Sequence, residues 1–201
     1  MSEIPEPQVH QPVRHKWTYV EMLISSLLSL TASLVLSIDA WKLAANPHVA
    51  LSCNISATLN CGKVALSWQA ALLGFPNAFL GLIAEPVVIT LAIAALGGSR
   101  FRRGFLLTAQ AIYAIGLAFA YWLFYQSYFH IGALCPWCLV VTFTTTTVFM
   151  TMTRINILDG NFRLPERLQA RLTRLLQLNV DSATVLIVWA ILAALILFHY
   201  A

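Results

Sequence analysis

Four cysteines are the residues in this sequence with redox chemistry of their own. Cys53 and Cys61 stand in one polar stretch with seven residues between them, and Cys135 and Cys138 form the motif Cys135-Pro136-Trp137-Cys138. Proline suits the first turn of a helix, where its missing N–H has no intrahelical partner. The motif therefore predicts a helix start, with Cys135 near the N-cap and Cys138 in the first turn. Helix N-termini carry partial positive charge and free N–H groups, which stabilise the thiolate, the nucleophilic form of cysteine. A long hydrophobic segment begins at this pair, so the pair sits within reach of a lipid-soluble molecule. A CxxC at the mouth of a membrane helix, with a second pair nearby, suggests electron transfer between thiols and something in the lipid.

Other uses of the four thiols fit less well. Structural zinc pairs usually have two to four residues between ligands; the loop pair has seven, and no histidine has finger-like spacing, so no metal is expected at the site. Two inert structural disulfides, as in a purely structural membrane subunit, would leave the placement of a CxxC at a helix start without purpose. Soft ions such as mercury or copper bind thiol pairs, which makes a soft-metal-ion transporter the alternative function. Such a path needs ligands deeper in the membrane, and Met150 and Met152 alone make a poor relay. Asn54-Ile55-Ser56 matches a glycosylation sequon, but a glycan between two redox cysteines would obstruct exchange, and the match is read as chance.

The elements that must position these cysteines follow from composition. Of 201 residues, 59% are hydrophobic and 10% charged, with mean hydropathy +0.76, against roughly 45–50% apolar and about a quarter charged in a soluble domain. This describes an all-α integral membrane protein, a transmembrane helical bundle in one membrane domain over 17–201. A span needs about 20 mainly apolar residues. Five segments qualify, at 18–41, 77–97, 104–128, 136–153 and 183–201. The first is too long for the apolar part of a cleaved signal peptide, and no small-residue cleavage site follows it. The formal charge of +4 invites a nucleic-acid reading, but the basic residues cluster at helix ends, where membrane topology explains them.

Ten of the twelve basic residues fall on one side of that arrangement: Arg14 and Lys16, then Arg100, Arg102 and Arg103, then Arg154, Arg163, Arg167, Arg171 and Arg174. The other side has Lys42 and Lys63. Basic loops stay in the cytoplasm, so the N-terminus is expected inside and the C-terminus outside. All four cysteines then lie at the outer face, where disulfides persist. Residues 1–16, with three prolines, read as a cytoplasmic tail. Residues 42–76 form the outer redox loop, with a turn at Asn46-Pro47 and one short surface helix expected over 62–73. A tight turn is expected over 128–134. Residues 164–178 carry a leucine stripe and an arginine stripe, the pattern of a helix lying in the lipid headgroup region.

Thiol–disulfide exchange requires a thiolate to meet a disulfide sulfur directly. Cys53 and Cys61 are far enough apart on a flexible loop to close one disulfide, and the loop can carry it between a soluble partner and the membrane pair. Glu85 lies inside the second span beside Pro86; an intramembrane carboxylate is a functional candidate by default, but packing as a hydrogen-bonded carboxyl beside the proline is the favoured reading. Asp39 and His130 lie near the outer face, where they read as proton relays or as solvated surface groups. Trp41, Trp68, Trp122, Trp137, Tyr125 and Tyr128 gather toward that face as an interfacial belt.

Over roughly Thr18 to Thr153 the sequence resembles the vitamin K epoxide reductase family in its bacterial disulfide-forming branch. The residues that carry the likeness are Ser52-Cys53, Cys61 followed by Ser67, Gly74-Phe75-Pro76-Asn77 with Gly81, and Gly132-Ala133-Leu134-Cys135-Pro136-Trp137-Cys138. Quinone-coupled oxidases of the DsbB type carry their cysteine pairs in the reverse order. The resemblance implies a four-helix core around a quinone pocket, with menaquinone or ubiquinone as electron acceptor. It implies a thiol:quinone oxidoreductase of the inner membrane that reoxidises a DsbA-like thioredoxin-fold protein. Cys138 would face the quinone, Cys135 would exchange with Cys61, and Cys53 would meet the soluble partner. Asn77 would hydrogen-bond a quinone carbonyl, and Ser67 would place a hydroxyl near the redox pair. The vitamin K enzyme has a tyrosine four residues after the second CxxC cysteine; here that position is Thr142. Some bacterial members carry a fused thioredoxin-like domain after the fifth span, and its absence here implies a separate partner protein.

Overall fold

The computed structural model describes residues 15–200. The tail expected over 1–16 lies outside them but for its last two positions, and so does Ala201. Hydrocarbon offers the backbone no hydrogen-bond partners, so each span must bond itself as a helix. Helix α1 (Lys16–Ala45) leads into the loop that holds the short α2 (Cys61–Ala65). Helices α3 (Ala78–Leu96), α4 (Arg103–Gln126) and α5 (Pro136–Leu158) follow, then α6 (Glu166–Gln177) and α7 (Val180–Tyr200). Five of these, α1, α3, α4, α5 and α7, are long and apolar enough to cross a membrane. The expected all-α bundle of five spans is therefore present.

Side chains sort as lipid demands. One face of α1 buries Ser26, Ser29, Ser33 and Ser37, while Ile24, Leu27, Leu28 and Leu34 stay exposed. Small residues at a helix interface let two backbones approach closely. At Gly81 of α3 that approach leaves no room for a side chain: a Cβ there would lie 2.1 Å from Ser33 Oγ. Helix α1 packs on α3 and α5, and α4 packs on α5. Their shared core contains Met22, Val88, Leu91, Tyr113, Val148 and Met152. Helix α7 flanks this four-helix core, against α5 and α6.

Several polar groups in the bundle are partnered within it. Glu85 is buried and accepts a hydrogen bond from Tyr113 Oη at 2.8 Å, as the packing reading of that carboxyl expects. The threonines of α5 bond back along their own helix, Thr142 to Cys138 O at 2.9 Å and Thr146 to Thr142 O at 2.8 Å, which lets hydroxyls be buried without new partners. The end of the bundle far from the cysteines is tied by side-chain bonds. Arg154 forks onto Asp181 at 2.8 and 3.0 Å, Gln110 donates to Thr153 Oγ1 at 2.8 Å, and Arg103 Nε donates to the Asn161 carbonyl.

Two local expectations change. The single surface helix expected over 62–73 is two pieces, α2 and a 3₁₀ turn at Trp68–Ala71. Ser67 between them is extended, and its hydroxyl donates to Val64 O at 2.6 Å, a local bond that competes with helix continuation. The tight turn expected over 128–134 is mostly helical. Helix α4 widens into a π-turn over Ser127–Ile131, and the chain reverses at Gly132, whose φ of 64° a side chain rarely tolerates.

Candidate functional site

Helix α5 begins as its sequence dictates, with extended Cys135 as N-cap and Pro136 in its first turn. Cys135 is buried, Cys138 is half-buried, and both thiols are free. Cys53 and Cys61 form a disulfide. The loop pair is thus closed into the one disulfide its spacing allows, while the CxxC pair is reduced.

The loop is fastened so that Cys61 meets Cys135. Cys61 opens α2, and Asn60 caps that helix by accepting from Lys63 N at 2.9 Å. Asn54 Oδ1 accepts from Gly62 N at 3.0 Å, so the asparagine of the sequon serves the loop's own fold. The segment is then stapled to the residues before the CxxC: Asn60 N donates to Leu134 O at 3.0 Å, and Leu134 N donates to Thr58 O at 2.8 Å. Leu43, Leu51, Val64 and Ala133 pack around the cysteines. The result is a separation of 3.2 Å between Cys135 Sγ and Cys61 Sγ.

This contact can pass a disulfide from one pair to the other. A thiolate at Cys135 can attack Cys61, and Cys53 is then the sulfur that leaves. Cys135 is suited to carry negative charge. The Cys138 thiol hydrogen-bonded to it, with the N–H groups of Cys138 and Trp137, holds its thiol below the ordinary value, against burial and the charge of Asp39. Asp39, one candidate for a solvated surface group, is instead buried. Its Oδ2 lies 3.7 Å from Cys53 Sγ, and its Oδ1 lies 3.9 Å from Lys42 Nζ.

The other candidates make contacts of their own. Ser67 spends its hydroxyl on the Val64 carbonyl. Asn77, at the head of α3, donates through Nδ2 to Gln69 O at 2.6 Å, and its Oδ1 is buried without a partner. Trp68 meets Trp122 edge-on at 6.2 Å. An apolar groove of about 280 Å³ runs between α1 and α3, lined by Ser37, Ile38, Trp41 and Phe79. His130 rests beside the Tyr125 ring at 5.6 Å.

The profile of the vitamin K epoxide reductase family matches residues 20–153, two thirds of the chain and all four cysteines. The chain belongs to the vitamin K epoxide reductase family. No curated protein matches it. Family membership and five apolar helices make this a multi-pass membrane oxidoreductase of the thiol–disulfide type. Asn54 and Asn60, which hold the cysteine loop in place, are the residues that the sequence pattern passed over, whereas Asp39 already stood there as a relay candidate. The signal for Asn60 was present: an asparagine directly before a short helical stretch is a preferred N-cap.

Proposed function

We propose that this family member is a thiol:quinone oxidoreductase of the inner membrane that reoxidises a DsbA-like thioredoxin-fold protein and so drives disulfide formation outside the cytoplasm. The observation that carries this reading is the 3.2 Å contact between Cys135 Sγ and Cys61 Sγ, with Cys61 already bonded to Cys53. The basic residues gathered away from the cysteines support an extracytoplasmic site.

The path runs through the chain's own sulfurs. A reduced partner meets Cys53 and reduces the loop disulfide. The Cys61 thiolate attacks Cys135 of an oxidised CxxC, forming Cys61–Cys135 and releasing Cys138. Cys53 then attacks Cys61, restoring the loop disulfide and releasing Cys135. The arrangement with an oxidised loop and two free thiols on α5 is what that exchange leaves behind.

A quinone fits the remaining groups. It would supply a sink for two electrons and two protons, with Cys138 and Asn77 holding its ring. The unpartnered Asn77 Oδ1 is an acceptor, suited to the hydroxyl of the reduced form. Turning the amide over would present the donor that a carbonyl needs, at the cost of the bond to Gln69 O. A ligand hydroxyl would give this buried acceptor the partner it lacks.

The test is quinone reduction by membranes supplied with a reduced thioredoxin-fold donor, across single cysteine variants. Cys138→Ala should abolish turnover. Cys61→Ser should block electrons from the protein donor while a small dithiol still reduces the CxxC pair. Undiminished turnover in Cys138→Ala refutes the scheme.

A further inference from the structure

The carboxylate of Asp39 has no role in the exchange as described so far, yet it is buried and points at a reacting sulfur. Its Oδ2 lies 3.7 Å from Cys53 Sγ. Asp39 belongs to the last two turns of α1 and not to the loop that carries Cys53. The titratable groups that face it are Lys42 on its own helix, Cys53 on the loop and, through charge, Cys135 at the head of α5.

We propose that Asp39 is a catalytic residue, the general base that takes the proton of Cys53 when that thiol resolves the Cys61–Cys135 disulfide. The inference rests on the exchange path proposed above. In the resolving step the Cys53 S–H proton passes to Asp39 Oδ2. The Cys53 sulfur attacks Cys61 Sγ, the Cys53–Cys61 bond forms, the Cys61–Cys135 bond breaks, and Cys135 departs with the electron pair as a thiolate. One disulfide is consumed and one is made, so the step needs no outside oxidant. The proton leaves the carboxyl for water beside Lys42, which is exposed. Lys42 Nζ lies 3.9 Å from Oδ1, on the other side of the carboxyl from Cys53. Run backward, the same group is the acid that protonates Cys53 as it leaves under attack by Cys135.

The expected size follows from the thiol. With a pKa near 8.5, about 3% of an unassisted cysteine is thiolate at pH 7, so a base that supplies the missing deprotonation is worth up to about 30-fold. Full-length protein in detergent with Cys138→Ala retains three exchanging sulfurs and can hold a Cys61–Cys135 disulfide. Resolution of that disulfide is timed after a pH jump by acid quench, alkylation of free thiols and mass spectrometry. Adding Asp39→Asn should slow resolution at pH 7 by about 10- to 30-fold. The loss should shrink about tenfold per pH unit and vanish above pH 9, where Cys53 ionises unaided. Asp39→Glu should recover part of the rate. An Asp39→Asn rate equal to the parent at every pH, or a loss that alkaline pH does not relieve, overturns the assignment. If Cys138→Ala never accumulates Cys61–Cys135 at any pH, the exchange path itself fails, and the role of Asp39 with it.

Discussion

Gly81→Ala should separate two helices that carry the site. A Cβ at Gly81 would lie 2.1 Å from Ser33 Oγ and 2.8 Å from Ser33 Cβ, where ordinary contact begins at 3.4 Å. Rotating Ser33 about χ1 removes the first clash. The second involves atoms fixed by both backbones, and it leaves about 0.6 Å that only movement of α1 against α3 can supply. Overpacking of this kind costs about 1–3 kcal/mol. The functional loss should exceed the stability loss, because Asn77 stands one turn from Gly81 and a misplacement near 1 Å in a reacting assembly can cost about 100-fold.

The assay is thermal unfolding in detergent beside quinone reduction, on Gly81→Ala alone and with changes at Ser33. Ser33→Ala keeps the offending Cβ and should relieve the variant little. Ser33→Gly removes both contacts and should restore most of the stability, less about 0.5–1 kcal/mol for a glycine inside a helix. The two glycine-site changes should couple by about 1–3 kcal/mol in a double-mutant cycle. Additive effects of Gly81→Ala and Ser33→Gly, or a Gly81→Ala protein with unchanged unfolding temperature and rate, would show that α1 and α3 do not meet as described.

Other changes read other parts of the site. Cys138→Ala removes the largest cause of the lowered Cys135 pKa, so alkylation of Cys135 should need higher pH than in the parent; an unmoved pH profile counts against that hydrogen bond. The sign is that of a depressed group: the Cys135 thiolate is favoured above its lowered pKa, and its contribution fades as pH falls through that value. Asn60→Ala removes the cap of α2 and should cost about 1 kcal/mol, with slower formation of Cys61–Cys135; an unchanged exchange rate argues that the cap does not position Cys61. Tyr113→Phe strips Glu85 of its hydrogen bond and should cost about 1–3 kcal/mol, read as a lower unfolding temperature that Glu85→Leu partly restores.

The parts of this molecule that were legible in advance are those whose cause is local. A run of apolar residues must become a self-bonded helix in lipid, and Pro136 after Cys135 marks where α5 begins. The bonds that decide the chemistry are long-range. Nothing near Thr58 or Asn60 announces that their backbone will pair with Leu134, more than seventy residues on. Asp39 near a helix end also reads as a surface group, since carboxylates are seldom buried without a partner, and only the fold brings Cys53 to it. The break at Ser67 was hidden for a different reason: the apolar pattern from Val64 to Leu73 suits one helix, and a single hydroxyl-to-carbonyl bond overrides it. Gly132 was visible as a family residue, but its left-handed turn at the end of a π-widened helix was not.

Access to the loop disulfide carries the last prediction. Cys53 is 5% exposed and Cys61 1% exposed, so a thioredoxin-fold partner cannot bring its sulfur into line with either while the loop is docked. The backbone bonds from the 58–60 segment to Leu134 must break first. Two such bonds are worth about 2 kcal/mol net, which puts the open fraction at a few per cent. Opening at that level is frequent enough for turnover and rare enough to keep Cys61 on Cys135 most of the time. On the path proposed above, docking on the membrane pair and docking on the partner then exclude one another, and the order of exchange follows from the geometry. Hydrogen exchange should find the amides of Asn60 and Leu134 opening at about 2–4 kcal/mol, well below the amides of the α5 core. Protection of these two amides equal to that of the α5 core, in a protein whose loop disulfide a thioredoxin-fold donor still reduces rapidly, would mean that the partner reaches the sulfurs without undocking the loop.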